Sequence, residues 1–120
     1  MYPFINKRLY VNFGDYKLIY SFPASTIIRV EGTDEKTGQT IVEICDFYNI
    51  LVETNVYLLY WFEPVSKTMV SEVHNINSMR AYSNRVSLTG SFLHSKGKIR
   101  VLKGDAGTEF ETPESETKRA

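Results

Sequence analysis

The sequence predicts a small all-β protein, an antiparallel up-and-down β-barrel of about eight strands. Apolar and polar residues alternate over short runs, which is the period-two pattern of strands with one buried face. Turn residues separate these runs at roughly 8–12-residue spacing, which is typical of a sandwich or a barrel. The connections are short, which favours an up-and-down order, and the long 3.6-residue periodicity of amphipathic helices is missing.

Each predicted strand is bounded by residues that favour turns or interrupt pairing. Gly14 and Asp15 separate the first two strands, and Pro23 ends the second because proline cannot donate to a strand ladder. Pro64 opens the loop of a central hairpin that follows the most apolar run of the chain. The predicted strands cover residues 8–13, 16–22, 26–31, 40–48, 55–63, 68–76, 79–88 and 97–103, with a further short segment at 90–95.

The chain divides into a barrel domain over residues 1–104 and an acidic tail over residues 105–120. The tail is rich in Glu and Thr, and Phe110 is its one large apolar residue. A segment with so little apolar surface cannot offset its ordering entropy, so we expect the tail to be disordered.

Composition and charge argue against several classes of protein. Fourteen basic and fourteen acidic residues give zero net charge, whereas a nucleic-acid binder normally shows a basic face. No apolar run approaches the length of a membrane span, and residues 1–20 lack the layout of a signal peptide. Cys45 is the one cysteine, so no intrachain disulfide is possible and the cytoplasm is the expected compartment.

No motif for a metal or a cofactor is present. His74 and His94 are the only histidines, and their spacing does not match a metal-binding pattern. Glycine-rich phosphate loops are also missing. We therefore expect no metal and no cofactor.

The aromatic content instead indicates a ligand cavity or an aromatic core. Eight Tyr, seven Phe and one Trp fall largely within the alternating runs. Tyr57, Trp61 and Glu63 share one face of the central strand because residues two apart point the same way. At the barrel mouth, Glu63 beside an indole could act as a proton donor or anchor a ligand hydroxyl. The alternative is a solvated strand-end carboxylate.

The partner strand over residues 68–76 has two possible registers. We expect Met69, Ser71 and Val73 to face inward, because Glu72 and His74 then face water. A shift by one residue would instead bring Glu72 and His74 inside beside Glu63. That arrangement would give a carboxylate–imidazole pair, which is a stronger catalytic signal.

Two further surfaces follow from the strand alternation. Leu58, Tyr60 and Phe62 form a second apolar face of the central strand, and an exposed apolar face predicts self-association as a homodimer. Arg29 and Glu31 share a face of the third strand. If this face points inward, Arg29 could pair with a ligand carboxylate; otherwise the two residues form a surface ion pair.

The central region resembles the calycin superfamily and, within it, the MoaF-like (molybdenum cofactor biosynthesis protein F-like) domains. The resemblance covers residues 8–103 and implies a lipocalin-like barrel, with Asn75 where the family usually has Asp. The residues that carry it are Val56, Tyr57, Trp61, Phe62 and Glu63, then the segments 70–75 and 97–102.

Phenolic acid decarboxylases are a more distant resemblance. Their Y-x-x-x-W-x-E-P strand is matched by Tyr57, Trp61, Glu63 and Pro64, and Tyr10 matches one catalytic tyrosine. Asn12 replaces the second tyrosine, and no arginine stands near residues 38–40 where that family has one. The resemblance therefore implies an interior site at Tyr10 and Glu63 rather than decarboxylation.

The leading prediction is a barrel that binds a small apolar or aromatic ligand, without a firm assignment as an enzyme. The alternatives are a lyase or isomerase with Glu63 as general acid or base on a small hydroxylated aromatic substrate, and an interaction module with a filled barrel. The expected ligand-binding residues are Tyr10, Tyr20, Arg29, Tyr57, Trp61, Glu63 and Ser71.

Overall fold

Eight antiparallel strands form the fold in the computed structural model, which describes residues 1–111. The predicted all-β class and strand number are confirmed, and this part of the chain contains no helix. It therefore has no helix long and apolar enough to cross a membrane. The strands are β1 (Arg8–Asn12), β2 (Lys17–Ala24), β3 (Ile27–Thr33), β4 (Thr40–Glu53), β5 (Val56–Glu63), β6 (Thr68–Asn75), β7 (Arg80–Ser87) and β8 (Phe92–Leu102).

The sheet closes into a barrel in sequence order. Every strand pairs with the next one along the chain, and β1 also pairs with β8, from Arg8 opposite Leu102 to Asn12 opposite Lys98. The up-and-down order is therefore confirmed. Closure leaves the barrel sheet without a free edge, and it sends alternate side chains of every strand into one shared interior.

Strand β2 continues through Pro23 to Ala24, so the expectation that Pro23 ends it is wrong; its pairing with β3 is irregular between Ser21 and Ala24, where a proline is tolerated.

The largest extensions beyond the prediction are in β4 and β8. The segments at 90–95 and 97–103 are one continuous strand, β8, because Gly97 is not a turn residue. A Cβ at Gly97 would lie 2.8 Å from the Phe13 ring, so glycine permits close packing there. Strand β4 continues past Tyr48 to Glu53 and pairs with β5 over this extension.

The interior is predominantly apolar and aromatic, with a small set of buried polar side chains. Leu9, Leu59 and Ile28 are completely buried in it. Phe22, Phe47 and Trp61 are also buried there and supply much of its volume.

Residues 103–111 return to the outer face of the barrel. Phe110 forms a bridge with Leu102, and its ring lies 5.5 Å from that of Tyr10. The guanidinium of Arg100 lies 4.0 Å above the same ring, which is a cation–π distance. Arg8 donates hydrogen bonds to the carbonyl oxygens of residues 103, 104 and 107. Of the predicted tail, residues 112–120 lie outside the described part of the chain, and the domain boundary stays a prediction.

Candidate functional site

The N-terminal segment closes one end of the barrel. The ring of Tyr2 is 1% exposed and packs against Phe22, Phe47 and Tyr57. The hydroxyl of Tyr57 donates to the carbonyl oxygen of Met1 at 3.1 Å. This end carries the β2–β3, β4–β5 and β6–β7 turns, so Tyr2 acts as a plug that fills the interior from that side.

The opposite end carries the β1–β2, β3–β4, β5–β6 and β7–β8 turns, and some side chains that point inward there stay partly exposed to solvent. Ile41 pairs with Gly32, which pairs with Leu18, and directly paired residues share a face. Leu18 in turn pairs with the buried Val11, so Ile41 faces the interior, yet it is 50% exposed. Inward-pointing apolar side chains at this end are therefore only partly covered, and this end is called the mouth below.

Leu93, on the other side of the mouth, also points inward and stays exposed. It pairs with Arg85, which pairs with the buried Val70, so all three side chains face inward. Leu93 is nevertheless 48% exposed.

Glu63 and Arg85 form an ion pair beneath this mouth. One carboxylate oxygen of Glu63 accepts from Nη2 of Arg85 and from the hydroxyl of Ser66, which lies at 3.1 Å. The other oxygen accepts from Nε1 of Trp61 at 3.0 Å. Glu63 therefore lies inside, as the strand alternation predicts, but three donors already occupy its carboxylate.

A second buried carboxylate lies at the same end. Glu43 accepts hydrogen bonds from the backbone N–H groups of Val65 and Ser66, at 2.6 and 2.9 Å, and so holds the β5–β6 turn. Burial, together with the negative charges of Glu63 and Glu43, raises the pKa of Cys45 to about 12. Cys45 is therefore a neutral buried thiol in a region of negative potential.

A chain of four polar side chains crosses the interior below the mouth. The hydroxyl of Tyr20 donates to Glu72 at 2.6 Å, and the other oxygen of Glu72 lies 2.8 Å from Nε2 of His74. The hydroxyl of Tyr2 lies 2.7 Å from Nδ1 of His74. Burial and the negative charge of Glu72 raise the pKa values of both tyrosines, so both remain neutral phenols.

The ionisation of Glu72 sets the direction of these hydrogen bonds. Burial alone would raise the pKa of Glu72, but hydrogen bonds from His74 and Tyr20 and the charge on His74 outweigh burial and lower it. An ionised carboxylate only accepts, so Nε2 of His74 carries a proton. When the ring is neutral, Nδ1 accepts from Tyr2.

The preferred register of residues 68–76 is therefore wrong. Glu63 pairs with Thr68 and Tyr57 pairs with His74, which turns Met69, Ser71 and Val73 outward. Glu72 is 1% exposed and His74 0%. Their burial is tolerated because each finds hydrogen-bond partners inside, which offsets the cost of removing them from water.

The structure brings only some of the predicted ligand residues together. The side chains that lie in the interior are Tyr20, Tyr57, Trp61 and Glu63. Those on the outer face are Tyr10, Arg29 and Ser71. Because Leu9 and Val11 point inward, Tyr10 cannot share the interior with Glu63, contrary to the expectation from the phenolic acid decarboxylase pattern.

Arg29 forms a surface ion pair with Glu31 at 2.7 Å instead of reaching into the barrel. Both line an outer groove of about 850 Å³ between β2, β3 and residues 105–108. Leu58, Tyr60 and Phe62, which were expected to mediate self-association, lie on the outer face and are half-buried or exposed, and the homodimer itself stays a prediction.

Sequence reasoning missed Arg85, Glu43 and Tyr2. The alternation of β7 would place Arg85 inside once its pairing with β6 is known, but that pairing depends on the register that the pattern left open. In the sequence, nothing distinguishes Glu43 from an ordinary polar residue on the solvent side of a strand. Tyr2 lies outside every predicted strand, and no local signal indicates that it enters the barrel. Within residues 1–111, no group of three or more potential metal-ligand side chains lies together.

Comparison with known proteins supports the fold and the family. The profile of the MoaF-like family matches residues 5–100. A crystal structure from Burkholderia vietnamiensis, provisionally assigned as a beta-lactamase, is similar with a TM-score of 0.72 at 17% identity. The match covers 83% of this chain and 96% of that protein, and at this identity it supports the barrel fold alone. A search of curated proteins finds no match.

Proposed function

Since the chain belongs to the MoaF-like family, we propose that its barrel binds a small, largely apolar or aromatic organic molecule through the mouth. The observation that carries this proposal is the asymmetry of the two ends. Tyr2 fills one end completely, while at the other end Ile41 and Leu93 point inward and stay half exposed. An apolar concave mouth with a few convergent polar groups is the usual form of a small-molecule site.

The polar and aromatic groups below the mouth suit this role. Trp61 and Tyr20 pack edge to face, with ring centroids 5.5 Å apart, and form a buried aromatic wall below the mouth. A ligand would reach this wall by displacing the side chains above it. Arg85 and Glu63 supply charged hydrogen-bonding groups above that wall. This composition favours a ligand with an aromatic or apolar body and at least one polar atom.

Catalysis by Glu63 as a general acid or base, in a lyase or isomerase, is the alternative. Its carboxylate is engaged by Trp61, Ser66 and Arg85, which favours a role in positioning Arg85. The Glu72–His74 pair is a stronger acid–base constellation, but Tyr2 and Tyr20 occupy its outer hydrogen-bonding positions. Both pairs are better suited to holding the interior than to reacting with a substrate.

Narrowing the mouth tests the proposal. Gly32 lies on the inner face between Leu18 and Ile41, and a Cβ there would meet the end of the Leu18 side chain at 3.0 Å. Gly32→Val should therefore narrow the mouth with little backbone strain. The neutral fluorescent probe N-phenylnaphthylamine should bind the wild type with an emission increase, and Gly32→Val should weaken binding by at least about tenfold.

Thr33→Val is the matched control, because it adds the same side chain at the next, outward position of β3. It should leave probe binding unchanged. The proposal would be contradicted if the wild type did not bind the probe, or if Gly32→Val bound it equally well. Either result would favour the other alternative, an interaction module with a filled barrel.

A further inference from the structure

Only one of the two terminal nitrogens of Arg85 has a hydrogen-bond partner in the described part of the chain. Its Nη2 pairs with Glu63, but Nη1 is buried and has no hydrogen-bond partner among residues 1–111. Leaving a buried donor without an acceptor is costly, and a charged donor more so. An acceptor supplied from outside the chain would remove that cost.

Part of the Arg85 side chain reaches solvent, although Nη1 itself is buried. Its side chain is 16% exposed, and its neighbour on β8 is Leu93, which lies at the mouth. The next inward residue on β8 is Ser95, whose hydroxyl accepts from that of the half-buried Tyr16. A molecule entering the mouth therefore meets the guanidinium before it reaches the Tyr20–Trp61 wall.

The surrounding charges decide which acceptor fits. Glu63 already neutralises Arg85, and Glu43 adds a second carboxylate at the same end. The raised pKa of Cys45 reports the same negative surroundings, since Glu63 and Glu43 both contribute to it beyond burial. A carboxylate or phosphate ligand would place a further negative charge beside these two groups, whereas an uncharged acceptor would not.

We propose that the ligand is an uncharged molecule whose carbonyl oxygen accepts a hydrogen bond from Nη1 of Arg85. This inference rests on the proposed ligand-binding function and specifies the ligand class. A carbonyl oxygen is a pure acceptor, so it satisfies Nη1 without bringing a proton that needs its own partner. A hydroxyl would introduce such a proton, and a carboxylate would introduce charge.

Probes that share one phenylpropyl body separate these cases. N,N-Dimethylhydrocinnamamide carries an uncharged carbonyl and no N–H donor, hydrocinnamate carries a carboxylate, and propylbenzene carries no acceptor. Binding should be followed by isothermal titration calorimetry and by the emission of Trp61, the only tryptophan. We expect the amide to bind at least about tenfold more tightly than either the acid or the hydrocarbon.

The substitution Arg85→Lys tests the residue without abandoning the ion pair. Lysine can still pair with Glu63 but lacks the second arm of the guanidinium fork. It should reduce amide binding about tenfold and leave propylbenzene binding unchanged. Arg29→Lys, the same substitution in the outer ion pair with Glu31, should change neither.

The outcomes separate this inference from the proposed function. Equal affinity for the three probes, or tighter binding of hydrocinnamate, would overturn the carbonyl inference while the barrel remained a ligand-binding protein. Amide binding that Arg85→Lys leaves intact would also overturn it. Failure of all three probes to bind the wild type would count against the proposed function itself.

Discussion

The hydroxyl of Tyr2 lies 2.7 Å from Nδ1 of His74, and this hydrogen bond joins the N-terminal segment to the interior face of β6. The two residues are 72 positions apart in the chain. The bond anchors the aromatic plug to the buried carboxylate–imidazole pair. The closed end of the barrel therefore depends on a polar contact as well as on apolar packing.

Tyr2→Phe should lower the free energy of unfolding by about 1–2 kcal/mol, because Nδ1 of His74 loses its partner in a site without water access. This corresponds to a fall of roughly 4–8 °C in Tm for a domain of this size. Thermal unfolding followed by circular dichroism measures it. Tyr48→Phe, at an exposed outer position, is the control and should leave Tm unchanged. Equal Tm values for wild type and Tyr2→Phe would mean that the hydrogen bond contributes no stability.

Stability should fall in acid because of Glu72. Its pKa is lower in the folded than in the unfolded protein, so its contribution is present above the ordinary carboxyl range and is lost as pH falls through the lowered value. Urea unfolding between about pH 7 and about pH 3 should show this loss. Glu72→Gln should make the free energy of unfolding fall less steeply as the pH is lowered. Glu53→Gln, at an exposed strand end, should leave that dependence unchanged. An equally steep fall in Glu72→Gln would assign the pH dependence to other groups.

Glu63→Gln should destabilise the protein by roughly 2–3 kcal/mol, because Arg85 would keep a buried charge without its counter-ion. Glu31→Gln removes the partner of Arg29 on the outer face, where solvent screens the pair, and should cost less than about 1 kcal/mol. Chemical denaturation of the two variants gives the comparison directly. Similar losses in both would show that burial does not distinguish the two pairs.

Phe110→Ala should lower stability by about 1–2 kcal/mol through the lost contacts with Tyr10 and Arg100. Thr108→Ala, at an exposed position in the same segment, should have no measurable effect. Denaturant midpoints provide the test. If Phe110→Ala matched the wild type, its contacts with Tyr10 and Arg100 would contribute no measurable stability.

The outer face of β5 to β8 should mediate a homodimer. The outward residues Phe62, Met69, Val86 and Phe92 form one row across four adjacent strands, and all are exposed. None of these side chains is charged, and a self-complementary apolar patch favours two-fold association. Light scattering should give a dimer mass at micromolar concentration and a monomer mass for Phe62→Glu. Thr37→Glu, in the exposed β3–β4 loop, should remain dimeric. A monomeric wild type would contradict the prediction.

The sequence alone determined the fold class and much of the inner wall. Period-two alternation placed Tyr57, Trp61 and Glu63 on one face because strand geometry is local, and short turns favoured an up-and-down order. Alternation does not say which of two faces is the inner one when both are mixed, so the register of β6 remained open. The resemblance to phenolic acid decarboxylases, and not the alternation, placed Tyr10 inside, whereas its neighbours Leu9 and Val11 are the buried pair.

Only the tertiary structure decided the partners of the polar interior residues. Closure of the barrel brings Arg85 to Glu63 and carries Tyr2 to His74, and no local pattern encodes contacts across so many intervening residues. Glu72 and His74 can lie inside because the tyrosines that satisfy them come from β2 and from the N-terminus. Burial of a polar side chain depends on partners from distant parts of the chain, and these become known only when the fold is closed.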